Sequence, residues 1–249
     1  AVGDGMRMSQ ALGAAASDGM NNFYGHLHSR DAMQSTRHWP RPVTDDLAAA
    51  GIVIDAGGRR FTDEGLGGIW IANAIARLPD PLDTTIVFDQ AIWDGPGKAA
   101  RIPANPHLEK AGGTIVRAAT LQELAANTGI AAERLELTVG AYNDALATAR
   151  LGALSPARST DTIAPMPIRS APFYAVPICA GMTYAFGGLL TDEHARVMST
   201  AGIPIDGLYA AGATTGGLEG GTGGGYVGGL IKGISFGLRA AEHIAARLR

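Results

Sequence analysis

Between Gly212 and Gly229 the chain reads GATTGGLEGGTGGGYVGG, ten glycines in eighteen residues, broken by one acidic side chain and one tyrosine, Tyr226. Glycine costs about 0.5–1 kcal/mol against alanine inside regular structure, so such a run makes sense only where side chains would stand in the way. A short apolar strand, GLYAAG, enters the run, and an apolar helix, LIKGISFGLRAAEHIAARL, leaves it. Glycine between a core strand and a core helix is no linker. It is the arrangement in which backbone N–H groups and the positive end of a helix face an electron-rich ligand; a loop packed closely on its own sheet is the plainer alternative. A second chemical cluster is FYGHLHSRD. His26 and His28 stand two apart, hence on one face of a strand, and an imidazole that titrates near neutrality can act as a base or hold an anion. Arg30 is a candidate carboxylate contact, and a purely structural role is the alternative for all three. No third ligand stands near the histidines, so no metal site is expected.

These residues need elements to position them. Met6 to Met20 carries small and apolar residues at helical spacing, with Gly3 and Asp4 placed to start the helix. NNFYGHLHSRDAM reads as strand and loop, GIVIDAGGRRF from Gly51 as a short hairpin, and Thr84–Asp89, TTIVFD, as a strand. From Leu121 two helices are expected, broken at Thr128-Gly129. Arg60 and Glu64 are expected to pair structurally. Proline thickens from Pro156 to Pro177 as a crossover, followed by a strand in PFYAVPICA, a turn in GGLLTDEHARVM, and a closing helix from about Leu230 to Leu248.

Composition narrows the classes. The 249 residues, 46% hydrophobic, suffice for a substantial core. Twenty basic against twenty-three acidic residues, without a basic cluster, argue against a nucleic-acid partner. Cys179 is the only cysteine, which excludes an internal disulfide and suggests a reducing, cytoplasmic location. No apolar run is long enough for a membrane span.

The segment from Pro172 to Ile244, PFYAVPICAGMTYAFGGLL through GLRAAEHI, resembles the C-terminal FAD-domain segment of the fumarate reductase and succinate dehydrogenase flavoprotein superfamily, which includes 3-ketosteroid dehydrogenases and tricarballylate dehydrogenase. Upstream, GDGMRMSQALGA resembles the family's TGDG helix, and GIVIDAGGRRFTDEG with IVFDQAIWD its G-x-RF-xx-E capping region. The resemblance implies an α/β FAD-binding body with an inserted α+β capping domain: residues 1–22 as FAD-domain segment, 23–171 as capping and substrate domain with crossovers, 172–249 as the second FAD-domain segment. The strand and G-x-G-x-x-G loop with which the family begins are not found at this start, so a fragment lacking its N-terminal Rossmann half is expected. That half, in the same or a separate chain, is the expected partner, and the isolated chain is expected to bind FAD weakly or not at all.

The same resemblance assigns residues. Asp4 falls at the FAD, with helix capping as its alternative. Gly212, Ala213 and Thr215 fall where the cofactor's hydroxyls are held. The family's glutamate is replaced by Ala213, leaving Thr214 or Thr215 to take its place. Gly228, Gly229, Leu230 and Ile231 match the turn whose amides meet the flavin pyrimidine ring. The charged groups with which fumarate reductases clamp a dicarboxylate fall at Tyr226, at Tyr184 or Thr183, and near Gly68, so fumarate reduction is not expected. Tyr226 instead resembles the Y-x-G tyrosine of ketosteroid dehydrogenases, which bonds a substrate carbonyl; packing over the loop is its alternative. Tyr184 is a catalytic candidate or, with Phe186 and Tyr174, part of an aromatic core. His28 is a catalytic candidate, and His26 and Arg30 are substrate-binding ones for a small molecule. Dehydrogenation of a C–C bond beside a carbonyl or carboxylate, with hydride passing to flavin N5, is the expected reaction. An inactive binding or assembly module is the alternative. A nicotinamide enzyme built on GGTGGG lacks the acidic ribose partner.

Overall fold

The computed structural model describes residues 3–33, 42–161, 163–220 and 225–248; the Gly221–Gly224 part of the glycine run lies outside them. In chain order the elements are α1 (Asp4–Ala11), β1 (Phe23–Ser29), α2 (Asp45–Ala50), β2 (Ile52–Asp55), α3 (Gly68–Ile75), β3 (Thr84–Asp89), α4 (Gln90–Asp94), α5 (Ala104–Lys110), β4 (Val116–Ala118), α6 (Leu121–Thr128), α7 (Ala132–Ala147), β5 (Phe173–Ala185), β6 (Arg196–Met198), β7 (Pro204–Tyr209) and α8 (Gly229–Arg247). The chain divides into two compact units, one of Ala1–Tyr24 with Met182–Arg249 and one of Gly25–Gly181.

The middle unit holds most of a sheet of order β1-β5-β3-β2, with β4 also on β5. β3 pairs antiparallel with β2, Ile52 opposite Val87, and with β5, Ile86 opposite Val176. Its side chains are nearly all buried, as its run of β-branched residues requires. The expected cut lay between 171 and 172; Phe173–Ile178 pairs along its backbone with β3 and stays with the middle unit. The divisions fall inside β5, between Gly181 and Met182, and inside β1, between Tyr24 and Gly25.

Asp89 closes β3 and starts α4: its Oδ1 accepts from Ile92 N at 3.1 Å, and its Oδ2 from Arg169 N and Ser170 N at 2.9 and 2.8 Å. The two expected helices are separated by Gly129, whose φ of +76° suits glycine at a helix end. The GIVIDAGGRRF hairpin closes through a bridge between Ile54 and Arg60. Arg60 and Glu64 pair at 2.6 Å, and Arg158 approaches the same carboxylate at 3.8 Å; all three side chains are buried. Tyr142, also buried, donates toward the carbonyls of Ala50 and Met166, each at 3.1 Å, and burial raises its pKa.

In the other unit α1 is shorter than the periodicity of Met6 to Met20 suggests. It ends at Ala11 and is followed by Gly13 at φ +84°. Residues 14–17 then run extended: Ala15 N donates to Met198 O at 2.8 Å and Ser17 N to Gly188 O at 2.8 Å. Tertiary pairing has overridden helical periodicity there. A small core gathers Ala14, Leu189 and Val197 with Met6, Ile205 and Leu208. The expected turn in GGLLTDEHARVM is a hairpin, Thr191 bridging to Val197. The strand expected in GLYAAG begins earlier, at Pro204.

Two predictions come from the middle unit. Replacing Glu64 with Gln leaves two buried guanidinium groups without their shared counter-charge, and should cost about 3–5 kcal/mol, read by urea unfolding. His26 Nδ1 lies 2.7 Å from Asp45 Oδ2, and that hydrogen bond, against the cost of burial and with the aid of the Asp45 charge, raises the histidine pKa above 6.5. The pair's stabilisation is therefore full below the unfolded value and fades as pH rises through the higher folded value. Thermal midpoints should fall from about pH 6 to about pH 8, and Asp45→Asn should flatten that slope.

Candidate functional site

In the terminal unit, three glycine contacts bring separate segments together. A Cβ on Gly5 would meet Thr214 Oγ1 at 3.3 Å, and one on Gly212 would meet Gly233 Cα at 3.8 Å. A Cβ on Gly188 would lie 2.6 Å from both Gly216 N and Thr214 O. The segments so joined are the start of α1, the Gly187–Gly188 turn, the loop at 212–216 and the first turns of α8. Between the first three of these lies a cleft of about 420 Å³, lined by Gly3, Asp4, Gly5, Met6, Met20, Gly187, Gly188, Ala213 and Thr214.

Asp4 is not the cap of α1. Gly3, in a left-handed conformation, occupies the cap position, and Asp4 is the first helical residue, its carboxylate paired with Arg7. Ala213 and Thr214 line the cleft. Thr215 does not: it is buried, its hydroxyl donates to Gly212 O at 2.9 Å, and Lys232 Nζ donates to its carbonyl at 2.8 Å. Of the two threonines, Thr214 is the one that could stand in for the glutamate absent at Ala213. Gly212, at φ +71°, adopts a conformation that side chains avoid.

α8 begins at Gly229 after Gly228, with no side-chain cap. Its uncapped first turn leaves backbone N–H groups at the positive end of the helix. Gly229 N donates to Tyr226 Oη at 3.2 Å. α8 is not the core helix that its apolar residues suggest. Leu230 is 86% exposed, Ile231, Ile234 and Leu238 are exposed as well, and Lys232 is its one buried residue among those described. Nothing in the described residues covers that face.

Tyr226 is not packed away over its loop. It is 49% exposed and stacks on Tyr24, ring centroids 4.9 Å apart. Tyr184 meets its edge at 5.7 Å. Tyr174 belongs to the middle unit, where it stacks on Phe88 and Trp93. Phe186 is buried. Burial raises the Tyr184 pKa, while the neighbouring Lys232 pulls it down.

The sequence reading missed Lys232 and Glu219. Both side chains are fully buried, with Nζ 2.7 Å from Oε1. A lysine one turn into a helix ordinarily reads as solvated, and only the lone acidic residue among the glycines hints at a buried partner.

His26, His28 and Arg30 belong to the middle unit. The two histidines share the less buried face of β1, as their spacing requires. His28 packs against Gly181, where a Cβ would collide with its ring. Arg30 is exposed and donates to Leu82 O at 3.1 Å, a backbone carbonyl. Among the described residues, no three histidine, cysteine, aspartate or glutamate side chains gather as a metal set.

The family model described as FAD binding domain matches residues 1–228. A probable fumarate reductase of Shewanella frigidimarina is 28% identical over 219 residues, 88% of this chain and 34% of that protein. A 4-oxocyclohexanecarboxylate 2-dehydrogenase of Sinomonas cyclohexanicum is 27% identical over 232 residues, 86% of this chain and 40% of that one. The solved 3-ketosteroid delta1-dehydrogenase from Sterolibacterium denitrificans, 25% identical, superposes with a TM-score of 0.67 over 98% of this chain and 47% of its own. The chain thus spans less than half the length of these relatives, and none of the three is a tricarballylate dehydrogenase. The chain belongs to the FAD binding domain family, within the flavoprotein superfamily of fumarate reductase-like enzymes and 3-ketosteroid dehydrogenases, and its cofactor is FAD.

Proposed function

We propose that this chain supplies the substrate-facing part of an FAD-dependent oxidoreductase that dehydrogenates a C–C bond next to a carbonyl or carboxylate. The observation that carries the reading is Tyr226, half exposed, with its oxygen accepting the Gly229 N–H. Its own proton is then left for a substrate carbonyl. A phenol so placed polarises the carbonyl and acidifies the neighbouring C–H. When bound, the flavin accepts a hydride at N5.

The cleft fits part of that cofactor. Glycines at 3, 5, 187 and 188 leave part of its wall without side chains, between Asp4, Met6, Met20, Ala213 and Thr214, and the start of α8 offers the backbone of Gly228, Leu230 and Ile231 to an electron-rich ring edge, beside a Gly229 N–H that donates to Tyr226 Oη. Asp4, Gly212, Ala213 and Thr214 would hold the hydroxyl-bearing portion, with Thr215 supporting the loop from behind. We place His28 and His26 on the substrate side, with Arg30 for a single distal carboxylate. Among the described ion pairs of the terminal unit, Arg7, Arg196, Arg239, Arg247 and Lys232 each meet a carboxylate. Among the described residues of that unit, each arginine is thus engaged by a carboxylate, which favours a neutral or singly charged substrate over a clamped dicarboxylate.

The exposed α8 face supports a second element of the reading. Leu230, Ile231, Ile234 and Leu238 would seat the part of a family member that lies outside the matched stretch, in the same polypeptide or as a separate chain. Without it the chain would be a partial cofactor body and catalytically silent, a binding module at most. One buried cysteine suits a cytoplasmic setting, and no described helix is long and apolar enough to cross a membrane.

Three measurements test this. A visible spectrum of the 249-residue chain after FAD addition and desalting should show little retained flavin, and a complementing N-terminal half should restore it; stoichiometric flavin on the chain alone defeats the partial-body reading. With the flavin site complete, ketones that yield enones should turn over and fumarate or succinate should not; fast turnover of either dicarboxylate overturns the substrate reading. Tyr226→Phe should lower kcat by roughly 10²–10³-fold with a smaller change in KM.

A further inference from the structure

Three buried polar atoms in the terminal unit, Tyr184 Oη and both Glu219 carboxylate oxygens, have no aligned hydrogen-bond partner. They belong to one cluster. Lys232 Nζ lies 2.7 Å from Glu219 Oε1, close enough for strong charge attraction although out of line for a hydrogen bond. The same ammonium donates to Thr215 O at 2.8 Å and sits over the Tyr184 ring, 4.8 Å from its centroid. Lys232 and Glu219 are 2% and 8% exposed. Burying such a pair is expensive, and replacing it with apolar residues of like volume is often neutral or stabilising. Packing alone is therefore a poor account of it. What the pair does reach is Tyr184, whose ring edge abuts Tyr226.

We propose that Lys232 and Glu219 are positioning residues of the candidate site, serving Tyr184: the ammonium holds the phenol ring from one face, the carboxylate holds the ammonium, and together they set how readily the phenol hydroxyl yields its proton. The pair clips the end of β5, the 215–219 stretch of the glycine loop and the first turn of α8 around one phenol. Lys232 and Glu219 are the charged groups facing Tyr184, and Tyr226, backed by Tyr24, is its remaining titratable neighbour. Burial favours the neutral phenol, and on top of it the charge of the lysine favours the phenolate while that of the glutamate opposes it. The role given to Tyr184 rests on the proposed reaction, but its titration does not require turnover.

The test is a site-specific titration. Trifluorotyrosine, whose phenol titrates in the neutral range, is placed at position 184 of the 249-residue chain and followed by ¹⁹F NMR against pH. Glu219→Gln should lower the midpoint and Lys232→Met should raise it, each by about one pH unit or more. A merely structural pair predicts otherwise: losing either partner would loosen the pocket, and both variants would drift down toward an exposed phenol. Midpoints that move together, or that do not move, overturn the proposal. If either single variant fails to fold, the double variant Glu219→Gln with Lys232→Met decides, since it leaves no unpaired charge. It should fold and return the midpoint toward that of the unsubstituted chain; an unfolded double variant, or one titrating as an exposed phenol, overturns the proposal equally. Loss of the proposed turnover with these midpoints intact would instead count against the reaction.

Discussion

Gly188 and Gly216 pass each other backbone to backbone, and most of the terminal unit depends on that approach. Leu189 N donates to Thr214 O at 2.7 Å, and Gly216 N donates to Leu189 O at 3.1 Å, a short parallel rung that no side chain could have been allowed to block. Ser17 joins it from the other side, its backbone N–H on Gly188 O and its hydroxyl accepting from Gly188 N at 3.2 Å. The rung ties the stretch after α1, the turn after β5 and the loop before α8 into one body. With the loop seated there, Thr215 faces inward to Lys232 and Thr214 faces the cleft. The glycines at 188 and 216 are therefore structural, since a side chain at either would block the rung.

Charge is handled alike in the two units. Each contains a buried cation held by a buried carboxylate: Arg60 with Arg158 on Glu64, and Lys232 on Glu219. The surroundings differ. Arg60 also spends hydrogen bonds on Pro156 O and Thr62 O, and Tyr142 spends its proton on two carbonyls, which leaves Arg158 Nε as the atom of that network without an aligned partner. The Lys232 cluster retains three such atoms, Tyr184 Oη and both Glu219 carboxylate oxygens, beside an exposed tyrosine.

Legibility in the sequence followed the range of the interactions. TTIVFD, the Thr128-Gly129 break, the Arg60–Glu64 pair and the strand through His26 and His28 are set by neighbours a few residues away, and each appears as its local pattern indicates. The end of α1 is set by pairing with residues near 188 and 198, so its helical spacing misleads. Phe173–Ile178 follows β3 rather than the prolines before it. The exposed face of α8 cannot be told from a buried one by hydrophobicity, since both read as apolar. Lys232 and Glu219 find each other across thirteen residues of chain, and neither side chain alone signals burial. Motif resemblance reached further than periodicity, because the order of motifs along the chain carries family information that no single window holds.

The stacked tyrosines give the terminal unit its own optical character. Tyr24, Tyr226 and Tyr184 form a short ladder of rings at 4.9 and 5.7 Å, whereas the three tryptophans, Trp39, Trp70 and Trp93, all carry sequence numbers of the middle unit. Ultraviolet emission excited in the indole band thus originates from the middle unit, while the phenol ladder contributes exciton-coupled circular dichroism from the other. Indole emission therefore reports on the middle unit without any label.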